Sequence, residues 1–164
     1  HGNASSAHAW GTRARCAVEE ARVEVSMLLG CRPGEVVFTS GGTESNNTAV
    51  RGASGRIVTT PIEHASLLAP LAARHDVEVD FVAVDAHGRV DLDQLRQALR
   101  RPAALVSVGW ANSEIGTLQD IAAVASIGRE AGVPVHVDAV QAVGKIPVDV
   151  RDLDLVSVSA HKLG

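Results

Sequence analysis

Aromatic side chains are nearly missing from this sequence: its 164 residues include two Trp, two Phe and no Tyr. A core must therefore be assembled from Val, Ala, Leu and Ile, which favours a packed parallel sheet covered by Ala-rich helices. Cysteine is equally scarce. Cys16 and Cys31 fall in no CxxC or metal-ligand spacing, which argues against a disulfide framework or a metal site and makes a reducing cytoplasm the expected compartment. There is no basic block, and the net charge is −4, so the electrostatic footprint of a nucleic-acid binder is missing. No apolar run approaches the roughly 20 residues of a membrane span. His1-Gly2-Asn3 does not begin a charged region followed by an apolar one, so no signal peptide is expected. Internal repeats, low-complexity tracts and linkers are also missing.

What is present is the mix of a soluble globular domain, 46% hydrophobic and 21% charged, long enough to bury a core. The chain starts without Met and stops two residues after Lys162, inside a motif, so a fragment is expected: one incomplete domain over residues 1–164. Short Val- and Ile-rich runs predict strands at Val36–Thr39, Arg56–Thr60, Val79–Val84, Ala104–Gly109, Val133–Asp138 and Leu155–Ala160. Helical patterns lie between them. Thr12–Leu29 carries an apolar stripe of Cys16, Ala17, Ala21, Val25 and Leu28, with Cys16 read as a small core residue. Asp91–Arg100 opens on Asp91 as N-cap with Gln94 three residues on, close to a capping box. Asp120–Ala131 stops at Gly132, with Pro134 just beyond. This alternation predicts an α/β fold, a mainly parallel sheet sandwiched by helices, with functional groups just after the strands.

Five segments occupy such positions. In Thr39-Ser40-Gly41-Gly42-Thr43, two glycines precede a helix start whose free amides suit a phosphate, or simply make a strand-to-helix turn. In Ile62-Glu63-His64-Ala65-Ser66, the imidazole of His64 can lie on a flat ring and move protons, or cap a helix in water. In Trp110–Thr117, polar groups including Asn112, Ser113 and Glu114 suit a ring oxygen or a substrate carboxylate, or form a plain loop. Asp138 ends an apolar strand, where a buried carboxylate needs a partner. A protonated pyridine nitrogen is one such partner, and a helix N-cap is another. Finally, Ser159-Ala160-His161-Lys162 puts an amine after a strand, placed for a Schiff base or reaching water. Each segment has a bland explanation. Together and in order they supply a phosphate cradle, a stacking group, a carboxylate for a ring nitrogen and a lysine for an aldehyde.

In these segments, and in Gly2-Asn3-Ala4-Ser5-Ser6-Ala7-His8 before them, the sequence resembles the aminotransferase class V group of fold-type I pyridoxal-phosphate enzymes, and most closely the cysteine desulfurases. The resemblance runs over essentially the whole chain and implies the large domain of that fold, with its C-terminal part and a small domain missing. It implies pyridoxal 5'-phosphate as cofactor, L-cysteine as substrate, a sulfur-acceptor or scaffold protein as partner, and a homodimer in the full-length form. By the same resemblance, Gly42, Thr43, Ser159 and His161 bind phosphate. His64 stacks on the ring and acts as acid/base, Asp138 pairs with the ring nitrogen, and Gln141 bonds the ring hydroxyl. Lys162 holds the cofactor and shuttles protons. Two departures stand out: Ala4 replaces a usual proline, and Ser113 replaces the second Asn of the usual Asn-Asn-Glu, a shorter side chain without the amide, for which a weaker or water-mediated contact to the ring oxygen or substrate is expected. The nucleophilic cysteine of these enzymes matches neither Cys16 nor Cys31 and is expected downstream, as is the carboxylate-binding arginine. Such a fragment is expected to be inactive by itself and to expose apolar surface and a sheet edge.

Overall fold

The computed structural model describes residues 2–163, which fall into two compact units: His1–Phe38 with Asp149–Arg151, and Thr39–Val148 with Asp152–Gly164. Each is treated by itself.

The first unit is built on α1 (Ala9–Leu29). His8 caps its start by accepting from the Gly11 amide through Nδ1 at 3.1 Å, and Gly30 ends it in the left-handed region. The predicted apolar stripe is not a buried one. Ala21 and Val25 are half-buried, but Cys16, Ala17 and Leu28 are exposed, so the core reading of Cys16 is corrected. The buried positions of α1 are Gly11, Ser26 and Leu29. Val36–Thr39 is not a strand either. Its apolar run is extended but joins no ladder. Instead the Arg22 guanidinium donates to the Val36 carbonyl and lies 5.1 Å from the centre of the Phe38 ring. A β-prone run without a neighbouring strand has nowhere to place its backbone hydrogen bonds, and here one arginine takes over part of that role.

The second unit holds α2 (Gly42–Gly52), β1 (Arg56–Thr59), α3 (Ala65–Ala72), β2 (Glu78–Phe81), α4 (Leu92–Ala98), β3 (Leu105–Gly109), α5 (Ile121–Ala131), β4 (Val135–Asp138) and β5 (Leu155–Ser157). The last five predicted strands are all present, each shorter than expected. They form one parallel sheet in the order β2-β1-β3-β4-β5. Right-handed crossovers to opposite sides of β1 send α3 to one face and α4 and α5 to the other. The contacts agree: α2 packs on α3, and α4 on α5. Val50, Ile57, Leu67, Leu71 and Leu105 form a core under the first pair. Every residue of β1 and β4 is buried, including the polar Arg56, Thr59, His136 and Asp138.

Caps behave largely as expected. The Asp91 carboxylate accepts from the amides of Asp93 (3.0 Å) and Gln94 (2.9 Å). Gln94 does not close a box; its side chain accepts from the Ala83 amide at 3.1 Å. Asp120 caps α5 through the Ala123 amide, and Gly132 ends that helix in the left-handed region. Among the described residues no helix is long and apolar enough to cross a membrane.

Candidate active site

The strand order reverses between β1 and β3: the chain leaves β1 for β2 on one side and returns to β3 on the other. Ligands of open α/β sheets bind beyond the carboxyl ends of the strands at such a reversal. A cavity of about 720 Å³ lies there, in the size range of ligand sites. All nine sequence-predicted site residues line it: Gly42, Thr43, His64, Ser113, Asp138, Gln141, Ser159, His161 and Lys162. A smaller cavity of about 390 Å³, between Arg89 and Val124, gathers none of them.

The α2 start forms one wall. Gly41 has φ 152°, a backbone state that side chains disfavour, and it offers no side-chain cap. The first intrahelical bond runs from the Ser45 amide to the Gly41 carbonyl at 3.0 Å. The earlier amides therefore lack an intrahelical acceptor, and Gly42 and Thr43 carry theirs into the cavity wall. A Cβ on Gly42 would stand 2.9 Å from the Val140 methyl, so glycine lets the turn after β4 approach, while Ser159 after β5 lies at ordinary contact distance, 3.5 Å. From that end, the Ser159 hydroxyl pairs with His161 Nδ1 at 2.9 Å. Lys162 closes a short 3₁₀ turn, Ala160–Lys162, and its amine has no partner among the described residues.

The opposite wall comes from β1, β3 and β4. Asp138, 8% exposed at the tip of β4, accepts from Asn46 Nδ2 at 2.7 Å and from the Val140 amide at 3.0 Å. The latter bond caps a turn, whereas the alternative reading of Asp138 expected a helix N-cap. Gln141 Oε1 accepts from Lys145 at 2.7 Å, which leaves its amide N–H₂ for another acceptor. Ser113 is exposed on the rim. Asn112 anchors that loop by donating to the Ile62 carbonyl (2.9 Å) and accepting from the Glu114 amide (2.9 Å). His64 caps α3: its Nδ1 accepts from the Ser66 amide at 3.1 Å.

Three residues of the wall have roles the sequence did not reveal. Asn46 is 1% exposed and bridges Asp138 to Ser66 Oγ (2.8 Å), while its Oδ1 has no partner among the described residues. Ser66 Oγ in turn lies 2.7 Å from His64 Nδ1. Glu63 accepts from Thr60 Oγ1 (2.6 Å) and from the Gly109 amide (2.8 Å), joining the ends of β1 and β3 at the reversal. Burial pushes its carboxyl up to about 7; the Thr60 and Gly109 bonds oppose this and the neighbouring Asp138 adds to it. The only signals in the sequence were an Asn pair inside a helix start and a carboxylate directly before His64.

The assembled groups fit an anionic, ring-bearing aldehyde. Free helix amides and a hydroxyl suit the anion, a buried carboxylate suits a protonated ring nitrogen, and an amine without a partner suits the aldehyde. The aminotransferase class-V model matches residues 1–164. The chain belongs to the aminotransferase class-V family. It is 44% identical to cysteine desulfurase IscS of Neisseria meningitidis serogroup A, over 98% of this chain and 42% of that protein. It is 49% identical to a cysteine desulfurase of Bradyrhizobium diazoefficiens, over 99% of this chain and 44% of that one. Among solved structures it is similar to SspA in complex with cysteine (TM-score 0.93, 33% identity, 98% of this chain and 49% of that one). It is also similar to a NifS-like protein from Rickettsia africae (TM-score 0.88, 33% identity, 100% of this chain and 48% of that one). As a class-V chain it thus spans less than half the length of these relatives, and its parallel sheet between helices is the α/β fold the sequence predicted.

Proposed function

We propose that the protein containing this chain is a cysteine desulfurase that uses pyridoxal 5'-phosphate to remove sulfur from L-cysteine, giving alanine and an enzyme-bound persulfide. The observation that carries the reading is the convergence of Asp138, Lys162 and the uncapped α2 start on one cavity at the strand reversal. The names of the relatives support the choice of substrate.

When bound, pyridoxal 5'-phosphate supplies an electron sink for the negative charge left at the substrate Cα. The Gly42 and Thr43 amides, Ser159 and His161 hold its phosphate. Asp138 keeps a proton on the ring nitrogen, and the Gln141 amide N–H₂ donates to the ring hydroxyl. His64 lies against the ring. Lys162 would be the covalent attachment point, and its Nζ would take the proton from the substrate Cα. Ser113 reaches less far than the Asn of related enzymes, so its contact would be weaker or run through water.

No cysteine lines the cavity among the described residues, so the sulfur-accepting cysteine belongs to another part of the protein. The persulfide serves an acceptor or scaffold protein, with iron–sulfur cluster assembly as the destination, and the protein works as a homodimer. Free Cys16 and Cys31 suit a cytoplasmic setting.

The test is release of sulfide and alanine from L-cysteine by the full-length protein. Both products should appear together, and both should cease when the downstream cysteine is replaced. Cofactor bound through Lys162 without sulfide release would reassign the reaction to another class-V activity, such as a selenocysteine lyase, an aminotransferase or another carbon–sulfur lyase. A colourless protein would point to a non-catalytic remnant. The 164-residue chain alone should release no sulfide.

A further inference from the structure

A chain of hydrogen bonds joins Asp138 to His64, and each link has one direction. Asn46 Nδ2 lies 2.7 Å from Asp138 Oδ2. Turning the amide over would set its oxygen against the carboxylate, so the nitrogen faces Asp138. The same nitrogen lies 2.8 Å from Ser66 Oγ and donates its second hydrogen there. The Ser66 hydroxyl accepts there and keeps its own hydrogen for His64 Nδ1, 2.7 Å away. The Ser66 amide donates to the same Nδ1 at 3.1 Å, as the α3 cap requires. The amide cannot turn, so Nδ1 must present a lone pair, the hydroxyl donates to it as well, and the ring hydrogen must sit on Nε2. That nitrogen has no protein partner among the described residues, and His64 lines the cavity.

We infer that Ser66 and Asn46 are positioning residues that hold His64 as the neutral, Nε2-protonated tautomer, so that His64 acts by donating a hydrogen bond from Nε2 into the cavity while Lys162 carries the protons. A neutral imidazole already protonated at Nε2 has no lone pair there with which to accept a proton. Protonation at Nδ1 would break the α3 cap and set the Ser66 amide against an N–H. Three other titratable groups of the wall are already engaged: Glu63 by Thr60 and Gly109, Asp138 by Asn46 and Val140, His161 by Ser159. A donor that changes no protonation state can still polarise a developing charge. The tautomer stands on the geometry alone; its catalytic consequence rests on the desulfurase reading.

Two measurements on the full-length protein test this. The first is two-bond proton–nitrogen correlation NMR on histidine-labelled protein, with and without pyridoxal 5'-phosphate, with His64 assigned by its loss in His64→Gln. A single Nε2–H pattern is expected, with an Nδ1–H form appearing in Ser66→Ala and Asn46→Ala. An Nδ1–H or doubly protonated ring in the wild type would overturn the assignment, and variants identical to wild type would remove Ser66 and Asn46 from it. The second is alanine release by His64→Gln and His64→Ala. Gln carries an N–H donor at similar reach, so it should stay within about tenfold of wild type while Ala loses roughly 10²-fold or more. A Gln variant as impaired as Ala would show that His64 transfers the proton itself. If wild type makes no alanine from cysteine, the desulfurase reading fails, and the NMR result decides the tautomer independently.

Discussion

Glu63 and His136 are both buried titratable groups, and their environments push them toward the neutral form. His136 sits in the middle of β4 between Ser107 Oγ and Ser157 Oγ, each 2.9 Å from a ring nitrogen. Burial lowers it to about 4 from an ordinary 6.5, while Glu63 is raised to about 7 from 4.5. For His136 the unfolded chain binds the extra proton between about pH 4 and 6.5, so its contribution is present above 6.5 and lost as pH falls through that window. For Glu63 the folded chain binds the extra proton between about 4.5 and 7, so its contribution is present below 4.5 and lost as pH rises to 7. Each is worth on the order of 3 kcal/mol, with opposite sign. The two therefore nearly cancel between about pH 4.5 and 6.5. Glu63→Gln removes one of them: Thr60 can turn its hydroxyl to accept, and the amide oxygen still takes the Gly109 N–H. Urea unfolding of this variant should show stability rising with pH over a range where wild type stays level; parallel curves would refute the assignment. Asp138 and Lys162 were legible in the sequence because their position after a strand is itself the signal. Glu63, Asn46 and Ser66 were not, because their roles depend on partners 20 to 92 residues away, such as Asn46 on Ser66 and on Asp138.

At the scale of elements, β1 is held in the sheet by more than its apolar side chains. Arg56 is 6% exposed at its start. Its guanidinium donates to Asp80 on β2 (2.6 Å) and to the carbonyls of Pro102 (3.1 Å), Ala98 (2.7 Å) and Arg101 (2.6 Å). One side chain thus ties β1 to β2, to the end of α4 and to the approach to β3. Arg56→Leu should cost about 2–4 kcal/mol, since it leaves three carbonyls without this donor. Arg56→Lys should recover only part of that, because an ammonium cannot span the planar fork. Denaturant midpoints of the two variants against wild type give the ranking, and a lysine variant as stable as wild type would contradict it. Strands β1 to β5 were readable in advance because buried parallel strands are short Val- and Ile-rich runs between turn signals. Val36–Thr39 has the same local pattern. It failed as a strand because a ladder needs a neighbour, which composition does not report.

At the scale of the whole molecule, the sheet and its cavity are legible because β-α alternation leaves few topologies and clefts of such sheets lie beyond the carboxyl ends of the strands. The fate of the apolar surface was legible only in outline. Helix α1 has the period of a core helix, yet in its unit Trp10 is 65% exposed, Met27 69% and, on the following segment, Val37 77%. In the other unit Ile115 is 59% and Phe81 53% exposed, and β2 and β5 each pair with one strand only. Burying apolar surface gains roughly 25 cal/mol per Å², so side chains of this size left in water favour association when nothing covers them. The relatives are more than twice as long as this chain, so a protein of their length has further residues available for that purpose. The 164-residue chain expressed alone should therefore self-associate, with light scattering rising with concentration. The full-length protein should form a defined species at the same concentrations. Charged substitutions that touch no cavity residue, Met27→Glu with Val37→Lys, should reduce scattering by the short chain without altering its fold by circular dichroism. A short chain that stays monomeric and melts in one sharp transition would mean that these side chains are covered within the chain itself.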